Sequence, residues 1–96
     1  MNYRLLSGAE HEYEVSLLYY FNESPQAADG YIDEVKEALI ELTNFPKRYR
    51  VYKRDVRVKA LHRYPFSIYY RVKLDEIIVL SISHNSRKPD HWAERE

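Results

Sequence analysis

Apolar residues fall on a helical repeat in the first half of the chain and on a strand repeat in the second. Residues 2–6 (NYRLL) make a short apolar-rich run closed by Ser7-Gly8, which predicts a first strand. Ser7-Gly8-Ala9-Glu10 has capping-box spacing: a Ser hydroxyl for an amide of the first turn, and a Glu three residues on that reaches back. Ala9, Tyr13, Leu17 and Tyr20 follow on one helical face. Asn22-Glu23-Ser24-Pro25 breaks this helix. Ser24 is placed to cap a second one, with Pro25 at the first helical position, where a missing N–H loses nothing. Ala28, Ile32, Val35, Leu39 and Leu42 then form a clean stripe up to Asn44, and Phe45-Pro46 ends it. Asp29, Asp33, Glu34, Lys36, Glu37 and Glu41 occupy the other side, which reads as a solvated face.

From Asp55 the period becomes two. Val56, Val58 and Ala60 alternate with Arg57, Lys59 and Leu61, and Phe66, Ile68, Tyr70 and Val72 with Ser67, Tyr69 and Arg71. Residues 76–83 (EIIVLSIS) are apolar on both parities until Ser81, as in an interior strand covered on both faces. Lys73-Leu74-Asp75 suits a hairpin, and His62-Arg63-Tyr64-Pro65 an earlier turn, since Pro65 cannot sit inside a central strand. The order β-α-α-β-β-β predicts an α+β fold, a helical hairpin packed on one face of a mainly antiparallel four-stranded sheet. One domain spanning residues 1–96 is expected. If the helices cover Val56, Val58, Phe66, Ile68, Tyr70 and Val72, the open face presents Arg57, Lys59, Ser67, Tyr69 and Arg71. Such a face suits an acidic partner or a polynucleotide. An ordinary solvated face fits the same pattern.

Composition narrows the function classes. The 96 residues include no Cys, which excludes a disulfide scaffold and a thiolate zinc site and suits a reducing cytosol. No apolar run approaches the roughly 20 residues of a membrane span, and the acidic N-terminal stretch does not read as a signal peptide. The formal net charge of +0 hides a division: residues 1–46 carry two basic and nine acidic side chains, residues 47–96 thirteen basic and six acidic. Either a cationic surface faces an acidic partner, or the two halves neutralise each other across the fold. Gly8 and Gly30 alone cannot build a phosphate-cradling loop. His11, His62, His84 and His91 lack metal-ligand spacing, and no nucleophile elbow is present, so neither a metal nor a cofactor is expected.

What remains is the basic second half, from Lys47, Arg48, Arg50, Lys53 and Arg54 to Arg57, Lys59, Arg63 and Arg71, then His84, Arg87, Lys88 and His91. Metal-free RNA cleavage needs a base, an acid and cations for the developing phosphorane charge. Arg57, Lys59, Arg71, His84 and Arg87 are the candidates for that chemistry. The competing reading of His84 is a ring that hydrogen-bonds its own loop.

Four features resemble the RelE/ParE toxin superfamily: the element order, Phe45-Pro46-Lys47-Arg48-Tyr49, the run Tyr64–Val72, and the ending Ile82-Ser83-His84-Asn85-Ser86-Arg87-Lys88-Pro89-Asp90-His91-Trp92. The resemblance implies the toxin half of a type II toxin–antitoxin pair, cytoplasmic, without a membrane role, and meeting operator DNA only through its antitoxin. RelE-like members cut mRNA on the ribosome; ParE-like and plasmid-stabilisation members act on DNA gyrase without that catalytic set. Ser67 stands where RelE-like nucleases carry an arginine, and Trp92 stands nearest to their late tyrosine. Arg57 and Lys59 do match the nucleases' alternating basic positions. The ending favours the ParE-like branch, a gyrase inhibitor rather than an enzyme. The alternatives are a ribosome-dependent endoribonuclease and an inert antitoxin-binding module. Target contact is expected at Arg57, Lys59, Arg63, Tyr69, Arg71, His84, Arg87 and Trp92. Antitoxin contact is expected at Leu18, Tyr19 and Tyr31, which lie outside the main stripes, with Arg57 and Lys59 at the rim.

Overall fold

The computed structural model describes residues 1–88 and 90–95. Along them run β1 (Asn2–Leu5), α1 (Ser7–Glu23), α2 (Pro25–Asn44), β2 (Val51–Lys53), β3 (Val56–Ala60), β4 (Phe66–Lys73) and β5 (Glu76–His84). The strands form one sheet in the order β1-β5-β4-β3-β2, parallel between β1 and β5 and antiparallel elsewhere. The sheet therefore has five strands where the sequence pattern predicts four. The added strand, β2, is three residues long, too short to show a period of its own. It turns into β3 through Arg54, whose φ of 55° is the left-handed value such tight turns require. The predicted hairpin at Lys73-Leu74-Asp75 forms as well, with Leu74 at φ 48°.

Both helices pack on one side of the sheet. Ser24 caps α2 as its position predicts, with the Ala27 amide donating to its Oγ at 3.0 Å. The capping box at Ser7 does not form: Leu6 is the N-cap residue, and no side chain caps the helix. The Leu6 amide donates to the Val79 carbonyl at 3.0 Å, which carries the β1–β5 pairing one residue further and starts α1 at Ser7. Tyr31, Val35, Leu39 and Leu42 of α2 bury against Ile68, Tyr70, Ile77, Val79 and Ile82 of the sheet. Tyr20 joins the hairpin to the sheet end, with ring centroids 5.0 Å from Tyr31 and 4.9 Å from Tyr64.

A register shift in β5 explains why its sequence is apolar on both parities. Tyr70 pairs with Val79 but Tyr69 pairs with Ser81, so Leu80 is an extra residue. Ile77 and Val79 face the helices before the bulge, and Ile82 after it. Ile78 and Leu80 face the other way and build a second core with Val56 and Trp92, against Leu6, Tyr52 and Tyr69.

That second core corrects the predicted parity of β3. Arg57 pairs with Tyr70 and Lys59 with Ile68, both helix-side residues, whereas Val56 and Val58 pair with Arg71 and Tyr69 on the far face. Arg57 and Lys59 thus lie on the helix side, where the end of α2 and residues 45–50 supply polar partners. Lys59 Nζ sits 3.5 Å from Glu41 Oε2 and 4.7 Å from the Tyr49 ring centroid. Arg57 Nη1 donates to the Tyr49 carbonyl at 2.7 Å. The far face is no open cationic surface: Trp92, only 4% exposed, lies on it.

Candidate functional site

Helix α1 is apolar on two sides. Its inner side holds buried Ala9 and Ser16 with partly buried Tyr13, Leu17 and Tyr20. Ser16 Oγ lies 2.6 Å from the Tyr31 hydroxyl, and burial pushes that phenol well above its ordinary range. The outer side carries Val15, Leu18, Tyr19 and Phe21, exposed by 55%, 62%, 60% and 62%. Four large apolar residues within seven positions of one helix make a patch of the kind that marks an interaction site. Between α1 and the ends of β4 and β5 runs a groove of about 780 Å³, lined by Val15, Tyr19, Tyr20, Phe66 and His84, with Glu12 and Arg87 among its polar residues.

Glu12 is the electrostatic centre of this end of the molecule. β1 stops pairing near Val79, which leaves the outer edge of β5 open. The Glu12 carboxylate fills that gap, accepting from the Ile82 amide at 3.2 Å and the Ser81 hydroxyl at 2.9 Å. Residues from the far end of the sequence converge on it: Arg95 at 2.9 Å, His91 Nε2 at 2.9 Å and Arg87 at 3.4 Å. Burial favours the neutral acid, but hydrogen bonds from Arg95, Ser81 and His91, together with the Arg95 charge, outweigh it and hold the carboxyl below its ordinary value. Nothing in the spacing of Glu12, Arg87, His91 and Arg95 announces this cluster; only the fold brings them together.

The residues considered for chemistry are divided. Arg57 and Lys59 lie on the helix side, while Arg71 lies on the far face, its Nε 3.0 Å from Asp55. His84 pairs with Phe66, whose ring meets its own edge-on at a centroid distance of 5.2 Å. Its Nδ1 accepts the Ser86 amide at 3.0 Å, which is the loop contact weighed against catalysis in the sequence. Arg87 is engaged by Glu12. Ser67 is buried and its hydroxyl donates to Asn85 Oδ1 at 2.7 Å. Arg63 is exposed beside Glu34, and Tyr69 lies at a tilt to Trp92 with ring centroids 5.2 Å apart. Among the antitoxin candidates, Leu18 and Tyr19 are exposed as expected. Tyr31 is corrected: at 0% exposure it is a core residue and has no surface to offer. Lys59, 7% exposed, and the buried Trp92 are likewise corrected as surface contacts. Pro89, part of the quoted ending, lies outside the described residues.

The charge division is resolved in part within the fold. Arg48 and Lys59 pair with Glu41, Arg63 with Glu34, and Arg87 and Arg95 with Glu12, each joining the basic half to the acidic half. Among the described residues no cluster of three or more His, Asp or Glu side chains is placed to hold a metal ion. No helix among them is long and apolar enough to cross a membrane.

A helical hairpin on one side of a mixed five-stranded sheet defines the class as an α+β domain. The model of the family described as ParE toxin of type II toxin–antitoxin system, parDE, matches residues 3–89, and the chain belongs to that family. No curated protein matches it. Among solved structures it is similar to a chain of the chromosomal ParDE toxin–antitoxin system from P. aeruginosa, at 20% identity and a TM-score of 0.62, covering 88% of this chain and 95% of that one. At that identity the likeness is one of fold.

Proposed function

We propose that this ParE-family toxin acts by binding DNA gyrase, that it cleaves no RNA, and that a cognate antitoxin neutralises it by docking on the outer side of α1. The observation that carries the reading is the division of its basic residues. A metal-free nuclease must gather base, acid and cations around one phosphate, and loss of one preorganised donor commonly lowers the rate by about 10²–10³. Here Arg57 and Arg71 point to opposite sides of the sheet, His84 accepts from its own loop, and Arg87 is held by a carboxylate.

The antitoxin's place follows from α1. Val15, Leu18, Tyr19 and Phe21 form an apolar strip beside a groove, and an amphipathic segment laid along it would bury both. Arg63 and other exposed cations of the second half remain for target contact or for steering. Gyrase supercoiling, measured with purified toxin free of antitoxin, tests the target: inhibition that antitoxin relieves is expected. Supercoiling untouched over a wide concentration range overturns it. Codon-positioned mRNA cleavage on programmed ribosomes, abolished by His84→Ala or Arg87→Ala, would establish the nuclease instead. Unimpaired growth on induction without antitoxin would leave only an inert binding module.

A further inference from the structure

Residues 90–95 follow β5 at the end of the described chain. The backbone hydrogen bonds within them are local turns, Ala93 to Asp90 and Arg95 to Trp92. They join no strand and extend no helix. Their hold on the body is by side chains. Trp92 lies at a tilt over Tyr69 and edge-on to Tyr52, with centroids 5.2 and 5.9 Å away, and packs with Ile78 and Leu80. His91 and Arg95 reach Glu12, Asp90 pairs with Lys53 at 3.0 Å, and Arg95 donates to the Leu80 carbonyl at 3.0 Å.

We propose that residues 90–95 are a strap latched through Glu12, which opens as a unit while the sheet and helices stay folded and so uncovers an aromatic platform made by Tyr52 and Tyr69 with Ile78 and Leu80. The geometry favours a cooperative latch. A ladder of backbone bonds loosens one residue at a time, but here the ion pairs of His91 and Arg95 meet at a single carboxylate, which also receives Arg87 from the preceding turn. Weakening that centre loosens these pairs together, leaving Asp90–Lys53 as the ion pair outside it. Glu12 is held in turn by Ile82 and Ser81 of β5, so the receiving half of the latch belongs to the rigid body. Gly8 is part of the same fit: a Cβ there would lie 2.6 Å from Arg95 Cζ, so only glycine lets the guanidinium lie against the first turn of α1. The proposal stands apart from the choice of cellular target and from the antitoxin's position.

Trp92 is the chain's single tryptophan, so its fluorescence reads the strap alone. The test uses acrylamide quenching of Trp92 beside far-UV circular dichroism, on wild type, Arg95→Gln and Gly8→Ala. Neither substitution removes a bond between Glu12 and β5, and alanine favours the helix that carries it. At low salt both variants are expected to raise the quenching constant about threefold or more with the dichroism unchanged. Wild type should approach them as salt is raised to about 1 M, where the Debye length shrinks to about 3 Å. Quenching that stays at the wild-type level in both variants overturns the proposal. So does quenching that rises only together with loss of the dichroism signal, because the segment is then an inseparable part of the core.

Discussion

The two helices of the hairpin are built to opposite plans. α2 buries Ala28, Tyr31, Val35, Ala38, Leu39 and Leu42 on one side and turns mostly charged residues to water, with Ile40 its exposed apolar exception. Glu34, read from the sequence as solvated, is buried where it accepts the Arg63 amide. α1 buries little, only Ala9 and Ser16 fully, and turns Val15, Leu18, Tyr19 and Phe21 outward. An amphipathic surface helix gains its stability from one apolar face packed on the core. A second apolar face adds nothing to the isolated domain and increases its tendency to associate. α2 therefore serves the fold, and the outer side of α1 is the surface we propose for the antitoxin.

The largest expected effect on stability lies in α2. Leu39→Ala and Leu42→Ala remove buried side chains and should each cost about 2–5 kcal/mol, lowering the melting temperature by about 10 °C or more. A shift of a degree or two would mean that the wrong face is inward. Ser24→Ala removes the side-chain cap that Ala27 donates to, and should cost about 1 kcal/mol in denaturant unfolding. Leu18→Ala on α1 should change stability by no more than about 0.5 kcal/mol. A larger loss would place Leu18 in the core and dissolve the contrast.

Acid sharpens the comparison at Glu12, the one α1 side chain with a dense polar role. Its carboxyl is held below the ordinary value, so the folded state favours the ionised form. The stability this contributes is fully present above the ordinary carboxylate range and is lost as pH falls through the depressed folded value. Unfolding midpoints measured downward from pH 5 should therefore drop more steeply for wild type than for Glu12→Gln. Parallel curves would remove Glu12 from the account.

The sequence made α2 legible because a single apolar stripe has only one way to be buried, and because Ser24-Pro25 announces its start. It made α1 legible as a helix through Ala9, Tyr13, Leu17 and Tyr20 and set Leu18 and Tyr19 outside that stripe, but it did not single out Val15 and Phe21 as their exposed neighbours. The parity of β3 was misleading for a physical reason. Both its faces are covered, one by the helices and the other by Trp92, so valine inward and lysine outward is no guide; Lys59 is buried beside Glu41 and Tyr49. The Glu12 centre joins residues some 70–83 positions apart, and no local spacing encodes that.

Antitoxin binding by the double variant Leu18→Glu/Tyr19→Glu, followed beside its melting temperature, tests the central contrast most directly. Two charges on an outward apolar strip should leave the domain folded, with a melting temperature within about 2 °C of wild type. Dissociation of the antitoxin should accelerate by about 100-fold or more, because buried apolar anchors commonly carry 2 kcal/mol or more each. A folded double variant that holds its antitoxin as tightly as wild type would contradict the assignment of α1 to the partner.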